Sequence, residues 1–150
     1  MASRLRRGRR IGIDYGDVRV GVAITDPEAI LVSPLTTLSN DVELLKNLSR
    51  IFTENQPIYV VLGLPLHLSG DKSRKSNSVN QFAEELKSIT GADIYLIDER
   101  LTTVSAQTQL RDAGIDNKKN KKIIDQMAAV NILNQALLLE TSPQGLGDSF

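Results

Sequence analysis

Residues 10–23 read RIGIDYGDVRVGVA, and this segment decides the fold of the chain. Apolar residues 11–13 end in the carboxylate of Asp14, and after Gly16 a second apolar run covers residues 18–24. Short β-branched runs bounded by Gly and Asp predict two strands joined by a tight turn. A carboxylate at the end of a central strand is costly to desolvate unless it is paired or bound to a metal. Asp14 is therefore the first candidate for chemistry, and the alternative is a turn residue bonded to its own backbone.

The residue composition limits the chemistry that the chain can perform. Its 150 residues suit one compact domain, and they include no cysteine and one histidine, His67. Disulfides, thiolate zinc sites and a cysteine nucleophile are excluded. A single histidine leaves little room for a histidine metal site or a Ser-His-Asp triad. Carboxylates would therefore have to hold any metal, and oxygen ligands of this kind favour Mg²⁺ or Mn²⁺.

Positive charge is concentrated in two places, although the formal net charge is zero and argues mildly against a dedicated nucleic-acid binder. The two clusters are Arg4, Arg6, Arg7, Arg9 and Arg10, and Lys118, Lys119, Lys121 and Lys122. Such clusters suit contact with a phosphate backbone, or they are merely solvated. No apolar run is long enough to span a membrane, and no signal-peptide core follows the arginines. The sequence predicts a cytoplasmic protein without a membrane partner.

Hydrophobic periodicity predicts the element order βββαβαβαα. The expected domains are a flexible basic arm at 1–9, a single folded domain at 10–141 and a disordered tail at 142–150. The first two strands are followed by an edge strand over 30–38 and by a helix over 41–55 with Val42 on its apolar stripe. Next we expect a strand over 58–63, a polar loop over 69–76, a helix over 78–89 and a strand over 94–99. The chain then continues with a helix from Thr102 or Thr103 to 113, a mobile loop over 116–121 and a helix over 122–140.

Connection lengths predict the sheet. Short turns make the first three strands antiparallel, and helical crossovers make the last two parallel to the first, so we expect a mixed α/β sheet of five strands with helices on both faces. Asp14 ends the first strand and Glu99 ends the fifth, so the two carboxylates meet at one edge. Because side chains alternate along a strand, Asp98 and Glu99 cannot both point into that site while the strand is regular.

A third carboxylate lies on the last helix. Asp125 precedes Ala128 and Ala129 by three and four residues, which places it on the apolar stripe of that helix. The alternative is an acid in the first turn that favours the helix dipole. Three converging carboxylates repel one another unless a cation lies between them. This pattern is typical of two-metal phosphodiester hydrolysis, which needs no histidine base.

Four segments in order resemble the YqgF/RuvX family: residues 13–23, 63–65, 98–103 and 124–134. Each motif is short, but together they cover nearly the whole of residues 10–139. The resemblance implies an RNase H-like fold and an acidic triad of Asp14, Glu99 and Asp125, which would ligate Mg²⁺ or Mn²⁺ with Asp14 as the bridging ligand. The segment 66–70 departs from the family pattern, so a substrate contact at this loop is not implied.

The resemblance also implies a function. Members of the family were first regarded as Holliday junction resolvases and are now mostly described as nucleases of pre-16S rRNA. We therefore expect a monomeric or homodimeric nuclease that acts on the 5′ end of the rRNA precursor, with four-way DNA as the alternative substrate. A non-catalytic RNA-binding assembly factor is a further alternative. An ATP-binding module of the actin type would need a second domain, for which the chain is too short.

Two arginines adjoin the acidic motifs. Arg19 and Arg100 are candidates for contact with a substrate phosphate. The alternative for both is an ion pair with a neighbouring carboxylate. His67 is interpreted as a loop side chain, and Thr102 and Thr103 as helix caps.

Overall fold

The structure is a computed structural model that describes residues 6–64, 72–98 and 118–150. Its elements in chain order are β1 (Arg10–Tyr15), β2 (Arg19–Thr25), β3 (Val32–Ser39), α1 (Leu44–Asn55), β4 (Tyr59–Leu64), α2 (Lys72–Ile89), β5 (Asp93–Asp98) and α3 (Lys118–Glu140). The helix predicted to end at residue 113 lies outside the described residues. No helix in the described ranges is both long and apolar enough to cross a membrane.

The sheet has five strands in the order β3-β2-β1-β4-β5. β1 pairs antiparallel with β2 and β2 with β3, whereas β1 and β4, and β4 and β5, are parallel. The predicted mixed sheet is therefore confirmed, with β1 at its centre. β3 is an edge strand, as Pro34 predicted, and the pairing register shifts opposite it between Val22 and Ala23.

Alternation along the strands creates two cores, one on each face of the sheet. In β1, Ile11 and Ile13 enter the core shared with α1 and α2, whereas Gly12 faces α3. The first core includes Val20, Val22, Leu48, Phe52, Val60, Leu62, Val79, Phe82, Leu86 and Ile94. The second core, under α3, includes Ala23, Tyr59, Val61, Ile97, Ala129, Ile132, Leu133 and Ala136.

Small residues let α3 lie close to the neighbouring strands β1 and β2. A Cβ atom at Gly12 would lie 2.9 Å from the carbonyl oxygen of Ala129 and from Cβ of Leu133. A Cβ atom at Gly21 would overlap the carbonyl oxygen of Asp125. The helix backbone therefore rests directly on the strands, and the glycines fix its height above them.

The first helix differs from the predicted one at its start. It begins at Leu44, and Val42 precedes it with 98% of its surface exposed, so the placement of Val42 on the apolar stripe was wrong. Asp41 accepts a hydrogen bond from the N–H of Glu43 at 2.9 Å, and Asn40 Nδ2 donates to the carbonyl of Gly16 at 2.7 Å. These polar residues serve the preceding turn and not a cap of the helix.

The other two helices begin earlier than predicted. α2 starts at Lys72 within the predicted polar loop, and α3 starts at Lys118 within the predicted mobile loop. Residues 72–78 of α2 read KSRKSNS and include no apolar residue, so hydrophobic periodicity carries no signal for its first two turns. Residues 118–122, four lysines and one asparagine, likewise give no periodic signal at the start of α3.

Both chain ends of the described structure contact the domain. Gly8 N–H donates to the carbonyl of Pro27 at 2.8 Å, and Phe150 N–H donates to the carbonyl of Ile94 at 2.6 Å. Phe150 also packs against the core under α1 and α2. The flexibility of residues 1–9, of which 1–5 lie outside the described ranges, and the disorder of 142–150 in solution stay predictions.

Candidate active site

Asp14 is held at the end of the central strand by the residues on either side of it. Ile13 is fully buried in the core under α1 and α2, and the Tyr15 ring stacks on Phe82 with centroids 4.1 Å apart. Both neighbours therefore anchor the backbone from the opposite face. Asp14 lies on the face of α3, directly across from Gly21 in the β1–β2 pairing.

Asp125 is brought to the same place by the contact between α3 and β2. Its carbonyl sits where Gly21 has no side chain, and Gly21 is the pairing partner of Asp14. The start of α3 is also tied to edge strand β3. Thr37 Oγ1 donates to the carbonyl of Lys122 at 2.9 Å and accepts from Gln126 Nε2 at 3.1 Å. The helix is thus fixed at both sides of the acid.

The electrostatics of Asp125 agree with its position near Asp14, which follows from the contacts at Gly21. Burial raises the pKa of the Asp125 carboxyl, a hydrogen bond from Arg19 and the charge of that arginine lower it, and the charge of Asp14 raises it. The net direction is upward. Two carboxylates close enough to influence each other in a half-buried place favour binding of a cation.

Arg19 is the described cation that touches this pair. Its Nε donates to Asp125 Oδ2 at 2.7 Å, and the side chains of Arg19 and Asp125 are 34% and 16% exposed. Arg19 lies on the same face of β2 as Gly21 and Ala23, which explains why it points toward α3. The ion pair that the sequence left open as an alternative is therefore present, and a contact of Arg19 with phosphate stays a prediction.

The remaining predicted site residues lie outside the described ranges. They are Glu99, Arg100, His67, Thr102 and Thr103. β5 ends at Asp98, one residue before Glu99, and it runs parallel to β4, which in turn runs parallel to β1. Within residues 6–64, 72–98 and 118–150, no three acidic or imidazole side chains are grouped closely enough to hold a metal ion. The structure brings together Asp14 and Asp125 of the predicted triad.

The oxygen ligands that Asp14 and Asp125 offer fit a hard divalent cation. Both groups are carboxylates, the ligands that Mg²⁺ and Mn²⁺ prefer, and the charge of one disfavours ionisation of the other. A divalent ion between the two carboxylates would relieve this repulsion. A third ligand would have to come from the part of the chain outside the described ranges.

Sequence reasoning missed two features that position the site. The first is the role of Gly12 and Gly21, whose signal is the occurrence of small residues on one face of adjacent strands. The second is Arg10, which was assigned to the exposed basic cluster but is fully buried. Its Nε and Nη2 donate to Glu140 Oε1 and Oε2 at 3.2 and 2.8 Å. The signal for this pair is the acid at the end of the long apolar helix.

Comparisons with known proteins agree with this geometry. A family model named RuvX and described as Holliday junction resolvase matches residues 8–138. A Streptomyces coelicolor protein, provisionally named a pre-16S rRNA nuclease, is 45% identical over 137 residues, which cover 89% of this chain and 82% of the relative. A Streptomyces avermitilis protein with the same provisional name is 46% identical over 136 residues, covering 89% and 87% of the two chains.

Solved structures share the fold at low sequence identity. Thermus thermophilus RuvC in complex with a Holliday junction substrate superposes with a TM-score of 0.62 at 10% identity, covering 95% of this chain and 99% of RuvC. A second structure of Thermus thermophilus RuvC gives a TM-score of 0.53 at 11% identity, covering 89% and 97% of the two chains. The predicted fold class and the predicted family are both confirmed.

Proposed function

The chain belongs to the RuvX family, and we propose that it is a metal-dependent nuclease that hydrolyses phosphodiester bonds of precursor 16S rRNA in ribosome biogenesis. The observation that carries the proposal is the placement of Asp14 and Asp125 side by side at one edge of the sheet, where the charge of one raises the pKa of the other. The acids come from opposite ends of the chain, and glycine contacts hold them together. Bringing two carboxylates together in a half-buried place is costly for folding unless each is paired or binds a cation.

Asp14, Asp125 and Glu99 are the residues that would hold Mg²⁺ or Mn²⁺. Such ions supply an activated water and stabilise the charge that develops on the phosphate and the leaving oxygen. The role of the described residues is to fix the ligands in advance. Tyr15 and Ile13 hold the backbone of Asp14, and Gly21 sets the position of Asp125. Catalysis depends on such preorganisation.

The rRNA substrate is supported by the names of the Streptomyces relatives, which are similar to this chain over most of their length. The exposed side chains of Lys121 and Lys122 lie within one turn of Asp125 on α3 and suit contact with a nucleic-acid backbone. A cytoplasmic location belongs to the same proposal, because rRNA precursors are processed there. We leave monomer and homodimer as the two forms to be distinguished by sedimentation.

Cleavage of four-way DNA junctions is a second candidate function. It is favoured by the description of the matching family. Resolution of a junction requires paired cuts, which a two-fold symmetric dimer makes. A protein that sediments as a monomer while it cleaves rRNA would exclude this candidate. Binding of rRNA without turnover would instead favour a non-catalytic assembly factor.

The test is cleavage of precursor 16S rRNA and of a four-way DNA junction, side by side, with Mg²⁺, with Mn²⁺ and with chelator. We expect rRNA to be cleaved in a metal-dependent reaction, and Asp14→Asn to abolish cleavage while its melting temperature is equal or raised. Asp17→Asn is the matched control, because Asp17 is an exposed acid in the turn that follows β1. Normal cleavage by Asp14→Asn would refute the site assignment.

A further inference from the structure

The ion pair between Arg19 and Asp125 uses a carboxylate that the proposed function assigns to a metal. Arg19 Nε donates to Asp125 Oδ2 at 2.7 Å, and Asp125 is the acid whose other near charge is Asp14. In the described part of the chain, the pair is joined through this one N–H···O bond. The guanidinium has further donors on its two Nη atoms, and a third of the side chain is exposed.

A cation fixed at this distance affects any second cation at the same carboxylate. Arg19 neutralises part of the negative charge that would attract a divalent ion, and its own charge repels that ion. The side chain is attached at the first residue of β2, directly after the turn, and its exposure leaves room for another rotamer. Arginine is also the side chain best suited to pair with a phosphate oxygen.

We propose that Arg19 is a positioning residue that holds Asp125 in place before metal binds and then transfers to a phosphate of the substrate. In this scheme Arg19 competes with the divalent ion for Asp125 in the free protein. A bound phosphodiester gives the guanidinium another partner and thereby strengthens metal binding. Metal and nucleic acid then bind with positive coupling, which is reciprocal by thermodynamic necessity. The inference rests on the proposed function for the identity of the phosphate.

The first test is calorimetric titration of Mn²⁺ into the metal-free protein at pH 8, without nucleic acid. We expect Arg19→Gln to bind Mn²⁺ about 3- to 10-fold more tightly than the unaltered protein, because a repelling charge near the ligand is removed. Arg19→Lys keeps the charge and should bind Mn²⁺ with nearly unaltered affinity. Arg9→Gln is the matched control, because Arg9 donates to the carbonyl of Thr25 and is not paired with Asp125.

Equal or weaker Mn²⁺ binding by Arg19→Gln, in a variant whose melting curve shows that it is folded, would overturn the proposal. A merely structural role for Arg19 predicts this loss, because Asp125 would no longer be held in place. If Arg19→Gln does not fold, Arg19→Met provides the same comparison with an uncharged side chain of similar length.

The second test measures the coupling. A short RNA that gel analysis shows to stay intact during the titration should raise the Mn²⁺ affinity of the unaltered protein several-fold and leave that of Arg19→Gln nearly unchanged. An equal gain in both proteins would overturn the transfer of Arg19 to phosphate. The Mn²⁺ titration without RNA does not depend on cleavage. A protein that cleaves no rRNA but shows the predicted Mn²⁺ affinities would therefore refute the proposed function and support the competition at Asp125.

Discussion

The two ends of α3 each carry a carboxylate paired with an arginine of the sheet, and the two pairs differ in almost every physical respect. Glu140 pairs with Arg10 at the start of β1, and Asp125 pairs with Arg19 at the start of β2. Fifteen residues of helix place the two acids about 22 Å apart. The side chain of Arg10 is fully buried, whereas that of Arg19 is 34% exposed.

The pair at Glu140 is extensively hydrogen-bonded. Arg10 donates to both oxygens of Glu140 and also to the carbonyls of Gly8 and Arg6 at 2.5 and 2.6 Å. Tyr59 donates its hydroxyl to Glu140 Oε1 at 2.8 Å. The charges are therefore matched and their donors are used, which is the condition for burying an ion pair without large cost.

The pair at Asp125 has one hydrogen bond, and a second acid lies beside it. Two carboxylates therefore lie near Arg19, whereas the pair at Glu140 consists of one carboxylate and one arginine. The difference teaches how to tell a structural ion pair from one in a functional site. A structural pair is enclosed and hydrogen-bonded by its own neighbours, whereas a pair in a functional site stays partly exposed and has a second acid nearby.

The largest effect on stability is expected at the Arg10–Glu140 pair, which we call the closed pair. Glu140→Gln leaves the buried Arg10 without its counter-charge, and we expect a loss of about 3–5 kcal/mol in the free energy of unfolding. Cleavage per folded molecule should remain unchanged. Urea denaturation measures the loss, and Glu84→Gln, at an exposed position of α2, is the control. A similar loss in both variants would show that the network around Arg10 contributes little.

The Arg19–Asp125 pair, which we call the open pair, should respond to substitution in the opposite way. Asp125→Asn removes one of two repelling charges, so we expect an equal or slightly higher melting temperature without metal. Its cleavage rate should fall by about 10²–10³-fold or more, as when one electrostatic group of a reacting centre is lost. Initial rates in Mg²⁺, set beside the melting curve, measure both effects. A variant that is less stable and fully active would reverse the roles of the two pairs.

The sequence predicts the acids around the open pair better than it predicts the closed pair. Alternation along residues 10–23 and helical spacing around Asp125 identify both acids and the face on which each lies, because both patterns depend on nearest neighbours in the chain. The pairing of Arg19 with Asp125 spans 106 residues and follows only from the register of the sheet. Sequence could therefore state the pair only as one of two alternatives.

Arg10 shows why local composition can mislead. It follows three other arginines within five residues, so composition groups it with a basic cluster that would be solvated or contact phosphate. Its burial results from its position as the first residue of the central strand, under the end of α3. The early start of α2 is hidden for a related reason. Residues 72–78, its first two turns, include no apolar side chain, so hydrophobic periodicity gives no signal there.

Glycine at position 21 should matter to the open pair alone. Gly21→Ala places a methyl group against the carbonyl of Asp125, and overpacking of this kind costs about 1–3 kcal/mol. Because α3 must move at its first turns, we also expect cleavage to fall while the network at Glu140 stays intact. Gly91→Ala is the matched control, since a Cβ atom there meets nothing within 4 Å. Equal stability of the two variants would contradict the close contact of helix and strand.

The closed pair should also reveal itself at alkaline pH. Burial, with the hydrogen bond and charge of Glu140, raises the pKa of Tyr59 above its ordinary 10.0. Above pH 10 the unfolded chain loses this proton while the folded one keeps it, so stability falls as pH rises, by at most about 1.4 kcal/mol per pH unit. Tyr59→Phe should flatten that part of the curve. An unchanged slope in this variant would mean that Tyr59 ionises in the folded protein.

The smallest effect is expected at a third pair, between Arg7 and Glu28, whose side chains are 74% and 53% exposed. Water screens these charges, and exposed pairs of this kind contribute about 0–1 kcal/mol. Glu28→Gln should therefore change the melting temperature by no more than a degree or two, and added salt should remove even that difference. Arg10 lies three residues from Arg7, so the contrast between Glu28→Gln and Glu140→Gln isolates burial as the cause. A large loss in Glu28→Gln would mean that the arm at residues 6–9 supports the domain through its charges as well as its backbone.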